Sequence, residues 1–199
     1  MITLYKYEGK NFDILKEQCL NELKDAYMAT KELESGLFKG KKYQIEAITK
    51  EEIISSIKLF INELSKNMNL EINSEIRIEE NNINILLVSD NNNILIGKDG
   101  KTLNAIQLIL RQSFKELNQF DLRIIVDVSN YKAKKIKNLE NEIKKICKEV
   151  LKTSIEVKLD PMNSYERRKV HSVVSEFEGL QSISYGEEPN RYTIIKIKD

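Results

Sequence analysis

Apolar residues recur along this chain at two periods, and the switches between them mark out its elements. Residues 2–7 alternate as a short strand, after which Phe12, Leu15, Cys19, Leu23 and Tyr27 return every three or four positions on one helical face. Residues 29–48 read as a hairpin, with a turn at Ser35-Gly36 and Gly40 and with Tyr43, Ile45 and Ala47 on alternate positions. This β-α-β-β unit is too small to be very stable unaided. Thr49 then stands as a helix cap, with Glu52 three residues on as its box partner.

The middle of the chain continues with a helical stripe of Ile53, Ile57, Phe60, Ile61 and Leu64, ending near residue 68. Strands are predicted around 70–79 and 83–89, joined by a tight Asn81-Asn82 turn whose residue type tolerates positive φ. A short helix at roughly 91–96 leads into Gly97-Lys98-Asp99-Gly100. A longer helix follows with Leu103, Ile106, Leu110 and Phe114, and a strand at 122–128 closes an α-β-β-α-α-β order. The last third opens with a lysine-rich helix whose Ile136, Leu139, Ile143, Cys147 and Val150 face a core. A strand at 154–159 precedes Pro161. Asn163 caps a second helix, Glu166 completes its box, and strand pieces at 182–184 and 192–197 flank a Gly186/Pro189 loop. The fold class is α+β: three small α/β units in series, over residues 1–50, 51–130 and 131–199.

Composition narrows the possibilities. Net charge is +1 over 199 residues, too small by itself for a strongly basic nucleic-acid binder. Its distribution is uneven: +1 over 1–50, −4 over 51–130 and +4 over 131–199, so attraction to phosphate concentrates in the last third. A solvated helix face accounts for most of the lysines between 132 and 148. Cys19 and Cys147 fall inside helical patterns without ligand-like spacing, which reads as reduced, buried thiols with no disulfide or zinc. The first residues carry charges where a signal peptide needs an apolar run, and no stretch approaches the ~20 apolar residues that span a bilayer. The expectation is a cytoplasmic protein without membrane insertion.

Two motifs carry the chemistry. Gly97-Lys98-Asp99-Gly100 lies between helices, where glycines let a sugar-phosphate strand approach the backbone. Unpaired N–H groups at Gly100, Lys101 and Thr102 would favour phosphate oxygens, and Ile94, Leu95 and Ile96 would wall a groove for unstacked bases. Alone, such a tetrapeptide more often just ends a helix. Asp99 counts against tight binding, at about 1 kcal/mol for a carboxylate near phosphate in a solvated groove. The second motif is Asn163-Ser-Tyr-Glu-Arg-Arg-Lys-Val-His171, followed by Ser184-Tyr-Gly-Glu-Glu-Pro-Asn-Arg191. Arg167 and His171 share a helical face, and Arg191 joins them as a cationic cluster for phosphates and stacked bases, with Arg168 adding charge and Tyr185 a stacking surface. A core or capping histidine is the competing reading of His171. Ser164, Ser172 and Ser175 lack a nucleophile-elbow context, and no P-loop, HExxH or cysteine-pair motif occurs, so the chain reads as a non-enzyme without metal or cofactor.

In its α-β-β-α-α-β setting the glycine loop resembles the type II KH domain, and the last third resembles the Arg-x-x-x-His domain. With the small N-terminal unit in front, the succession is similar to the Jag family of bacterial SpoIIIJ-associated (KhpB/EloR) proteins. Ser35-Gly-Leu-Phe-Lys-Gly-Lys41 resembles a shortened form of that family's N-terminal turn motif. The resemblance implies single-strand RNA binding and an RNA chaperone role linked to cell elongation, division and wall homeostasis. It also implies a small KH-only partner of the KhpA type. Carried over with it are Ile96, Gly97, Lys98, Gly100 and Lys101 of the KH loop, and Arg167, Arg168, His171 and Arg191 of the C-terminal domain. A KH-mediated protein scaffold, including a homodimer, and a single-stranded DNA binder stay open beside this reading.

Overall fold

The structure, a computed structural model, describes residues 2–33 and 41–198. Two compact units divide it, 1–129 and 130–199. In the first, β1 (Tyr5–Gly9), α1 (Phe12–Glu22), β2 (Ala26–Leu33) and β3 (Lys42–Thr49) form an antiparallel sheet in the order β1-β3-β2 with one helix on it. Leu15 and Cys19 of α1 pack on Ile45 and Ala47. The helix is shorter than its periodicity predicts: it stops at Glu22, and Tyr27 belongs to β2. The four-residue spacing of Cys19, Leu23 and Tyr27 simply carries over from helix into strand. The first strand likewise runs over Tyr5–Gly9 rather than 2–7. The expected Ser35–Gly40 turn and its motif lie outside the described residues.

β3 is buried on both faces. Opposite the Ile45–Ala47 side, Glu46 is only 7% exposed and bonds Lys6 Nζ at 3.0 Å and Lys31 Nζ at 3.5 Å from the flanking strands. The hydrogen bond from Lys6, with the charge of Lys31 beside it, lowers the carboxyl's pKa. Burial raises the pKa of both cysteine thiols, in keeping with inert, reduced side chains.

The Thr49 hydroxyl accepts from Glu52 N–H and starts α2 (Lys50–Met68) directly after β3. β4 (Ile72–Glu79) and β5 (Asn82–Ser89) form the next hairpin, with the positive φ at Glu80 rather than at an asparagine. β5 then pairs in parallel with β6 (Arg123–Val128). A parallel pair needs a crossover. Here it consists of α3 (Asn92–Ile96), the glycine loop, α4 (Lys101–Ser113) and a 3-10 segment, Lys115–Phe120. Ile83, Ile85 and Leu87 of β5 and Ile124, Val126 and Val128 of β6 bury one face of this sheet. Across the helices, Phe60 meets Phe114 edge-on at 5.7 Å. Arg111 Nε donates to Ile124 O and Gln107 Oε1 accepts from Val126 N–H, so α4 satisfies edge-strand groups the sheet leaves open.

The second unit is α5 (Tyr131–Thr153), β7 (Val157–Lys158), α6 (Ser164–Val174), β8 (Leu180–Tyr185) and β9 (Tyr192–Ile197), with sheet order β7-β9-β8. Its core joins Ile143, Cys147 and Val150 of α5 to Val170, Val173 and Val174 of α6 and to Leu180 and Ile195 of the sheet. Two expectations are corrected. The strand expected at 154–159 pairs over two residues alone. Ile136 lies outside the buried cluster and lines an open depression of about 630 Å³ with Lys132, Lys137 and Tyr165. Among the described residues no helix is long and apolar enough to cross a membrane.

Candidate nucleic-acid interface

The β5–β6 crossover delivers the glycine loop to the end of the sheet. Gly97 has φ +69° and ψ −178°, and a Cβ built there would lie 2.9 Å from the Thr102 backbone nitrogen and collide with the Thr102 hydroxyl. The position therefore excludes every side chain for two independent reasons. Lys98–Gly100 form one 3-10 turn, Asp99 takes the left-handed conformation, and Gly100, at φ +85°, opens α4. Lys98, Asp99 and Lys101 are exposed, and Ile96 is half-buried.

Two details differ from the sequence reading. Gly100 N–H donates to Gly97 O at 3.3 Å and Lys101 N–H to Lys98 O, so the turn consumes donors expected to serve phosphate. Leu95 is fully buried, which leaves 47%-exposed Ile94 and Ile96 as the apolar wall. A three-residue turn shares its amides internally, which residue types do not reveal.

The C-terminal motif is built on the capped start of α6. Asn163 Oδ1 accepts from Glu166 N–H at 3.0 Å and Glu166 Oε2 accepts from Asn163 N–H at 3.1 Å, the reciprocal box its sequence predicts. The other Glu166 oxygen takes Lys135 Nζ at 2.7 Å, tying α5 to α6.

One turn further on, Arg167 is 7% exposed. Its guanidinium donates to Met162 O at 2.7 Å and to Glu188 Oε1 at 3.0 Å, while Met162 N–H donates to Arg191 O at 3.1 Å. This corrects the expected outward-facing cluster: Arg167 is locked onto a local carboxylate and a carbonyl. It clamps the segment entering α6 to the β8–β9 loop. Arg191, exposed, leaves from that same loop. Arg168 is exposed with its Nε 3.3 Å from Ser164 O.

His171 is half-buried, with Nδ1 2.6 Å from Ser182 Oγ and Nε2 2.8 Å from Ser184 Oγ; Ser184 Oγ lies 3.1 Å from Thr193 Oγ1. Burial first, then the charges of Arg167 and Arg191, lowers its pKa. The lowered pKa favours the neutral ring, in which one nitrogen accepts from a serine hydroxyl and the other donates to one. The ring organises β8 rather than adding a cation. Ser182, Ser184, Met162 and Glu188 carry this arrangement; Ser184 and Glu188 lie within the quoted motif, but sequence reasoning gives none of the four a role. The alternation of Leu180, Ser182 and Ser184 is the available signal. Among the described residues, no group of His, Cys, Asp or Glu could hold a metal.

A KH fold with its glycine loop, followed by a helix-and-sheet module carrying an arginine–histidine pair, defines a protein that joins a KH domain to an Arg-x-x-x-His domain. The family models agree: the KhpA/KhpB KH domain matches residues 55–127 and the Arg-x-x-x-His domain residues 134–196. Proteins named RNA-binding protein KhpB are similar along much of the chain. The one from Clostridium symbiosum is 35% identical over 66% of this chain and 60% of its own length. That from Bacillus subtilis is 26% identical over 82% and 79%, and that from Streptococcus pneumoniae 25% over 73% and 44%. The chain thus carries both domains and resembles the Jag (KhpB) proteins. The matches span 60% and 44% of the length of the Clostridium and Streptococcus relatives.

Proposed function

We propose that this protein binds single-stranded RNA through the exposed arginines of its C-terminal unit, Arg168 and Arg191, with Lys98 and Lys101 of the KH loop as a second contact. One observation carries the reading. Arg167 spends its guanidinium on Met162 O and Glu188, which holds the loop that presents Arg191 to solvent. In this proposal Arg167 and His171 are positioning residues, and phosphate contact falls to their exposed neighbours. The three segments 1–50, 51–130 and 131–199 act as domains. The protein works in the cytoplasm without catalytic chemistry, as an RNA chaperone linked to cell elongation, division and wall homeostasis.

Fluorescence anisotropy with a labelled single-stranded RNA tests it. Arg168→Ala/Arg191→Ala should bind at least tenfold more weakly than the unaltered chain, about 1.4 kcal/mol. Equal affinity overturns the proposal. Competition with a DNA oligomer of matched sequence separates an RNA reader, which uses the 2′-OH, from a general single-strand binder.

A second reading has its own observation. Leu108 and Ile109 of α4 are 58% and 49% exposed, adjacent apolar side chains on a domain of net charge −4. They suit docking of a small KH protein of the KhpA type, or of a second copy. Light scattering after nuclease treatment reads this, with Leu108→Glu expected to abolish any association.

A further inference from the structure

The sheet of the C-terminal unit has one face packed and one face that the arginine–histidine motif leaves unexplained. Leu180, Ile195 and Ile197 point into the core with α5 and α6, and Ser182 and Ser184 point at His171. Strand alternation puts Gln181, Ile183 and Tyr185 of β8 and Tyr192, Ile194 and Lys196 of β9 on the opposite face. Register makes them direct cross-strand pairs: Tyr185 opposite Tyr192, Ile183 opposite Ile194 and Gln181 opposite Lys196, with Lys158 of β7 opposite Ile194. The tyrosine rings lie 6.2 Å apart and 32° from parallel, and Lys158 Nζ sits 4.1 Å from the Tyr192 centroid. Tyr185 is 44% exposed, and Ile183, Tyr192 and Ile194 are half-buried.

An uncovered antiparallel face is ordinarily polar. This one presents two tyrosines and two isoleucines flanked by two lysines, and none of its paired positions is a carboxylate. That composition matches one ligand chemistry: flat aromatic bases on an anionic backbone. We propose that this face is a stacking platform for single-stranded RNA, with bases on Tyr185 and Tyr192 and phosphates beside Lys158. Arg191 directly precedes Tyr192, so a strand held by the loop arginine continues onto the sheet. The platform rests on the RNA-binding reading and names a second site within it.

The test uses the whole chain and a labelled oligouridine carrying 5-iodouracil, read by anisotropy and by mass spectrometry of photoadducts. Tyr185→Ala should weaken binding about tenfold, within the range of roughly 5- to 150-fold that base–aromatic stacking supplies. Tyr185→Phe, which keeps the ring, should bind as the parent does, and adducts should fall on Tyr185 or Tyr192. Lys158→Ala removes a cation without touching the core and provides a second variant if Tyr185→Ala fails to fold. Unchanged affinity in Tyr185→Ala and Lys158→Ala, with Arg191→Ala still impaired, overturns the platform and leaves the RNA reading standing. A parent chain that binds no single strand overturns both. Loss of a co-purifying protein from Tyr185→Ala with RNA affinity intact assigns the face to a protein and also overturns the platform.

Discussion

Arg167 and His171 show how burial reassigns roles that residue type suggests. Both are natural candidates for phosphate contact. Arg167 instead satisfies a carbonyl and a carboxylate that hold two chain segments together, and His171 sits between two serine hydroxyls. The histidine makes a clean prediction because the chain has no other. Its imidazole proton signal should titrate as one curve with a midpoint below the usual ~6.5 of a free imidazole. The linked stability follows in sign. The folded pKa is lowered, so the unfolded chain binds the extra proton first, and stability falls as pH drops from about 6.5 toward the folded value. Urea unfolding at pH 7.5 and pH 5.5 should show that loss, and His171→Gln should reduce it. A midpoint above 6.5 would mean the ring carries charge and pairs with an anion after all.

Among the elements, the glycine loop depends most on a single residue. Gly97 combines a left-handed φ with a neighbour, Thr102, that occupies the space of a Cβ. Gly97→Ala should therefore distort the turn. Strain of about 1–3 kcal/mol for the unfavourable φ sets the expected loss of stability, before any cost of displacing Thr102. Gly97→Ala/Thr102→Ala should remain destabilised, because removing the hydroxyl relieves the closest contact but neither the one with the Thr102 backbone nitrogen nor the φ. Thermal melts of the two variants check this. A Gly97→Ala melt matching the parent would show that the turn is relaxed in solution. The α6 cap, by contrast, has two reciprocal bonds and a lysine on the second carboxylate oxygen, so no one contact decides that element.

At the scale of the whole molecule, a net charge of +1 conceals a division of labour. The KH segment carries −4 and the C-terminal unit +4. Part of that positive charge is already spent: Lys135 on Glu166, Lys144 on Glu176 and Arg167 on Glu188. Few phosphates should be neutralised, and RNA affinity should depend modestly on salt. Each phosphate contact contributes about 0.7 to the slope of log affinity against log salt on a single strand. Arg191→Ala should lower that slope by about one such unit, whereas Lys144→Ala, removing a cation paired on the surface, should leave it unchanged. An equal slope in the parent and Arg191→Ala would assign Arg191 a structural role.

The order of elements, the caps at Thr49 and Asn163, the buried cysteines and the glycine loop were legible in the sequence. Each depends on residues within about one helical turn or one strand pair, where period and side-chain chemistry are enough. Where α1 ends was less so, since the four-residue spacing of Cys19, Leu23 and Tyr27 continues across Leu23 into β2. What only the tertiary structure decided is which cations meet solvent. Arg167, Arg168 and Arg191 are alike in type. A carboxylate 21 positions downstream and a carbonyl five positions upstream draw the first inside and leave the other two exposed. The Tyr185–Tyr192 and Ile183–Ile194 pairs likewise exist only once β8 and β9 are in register, because sequence sets a side chain's face but pairing sets its neighbour.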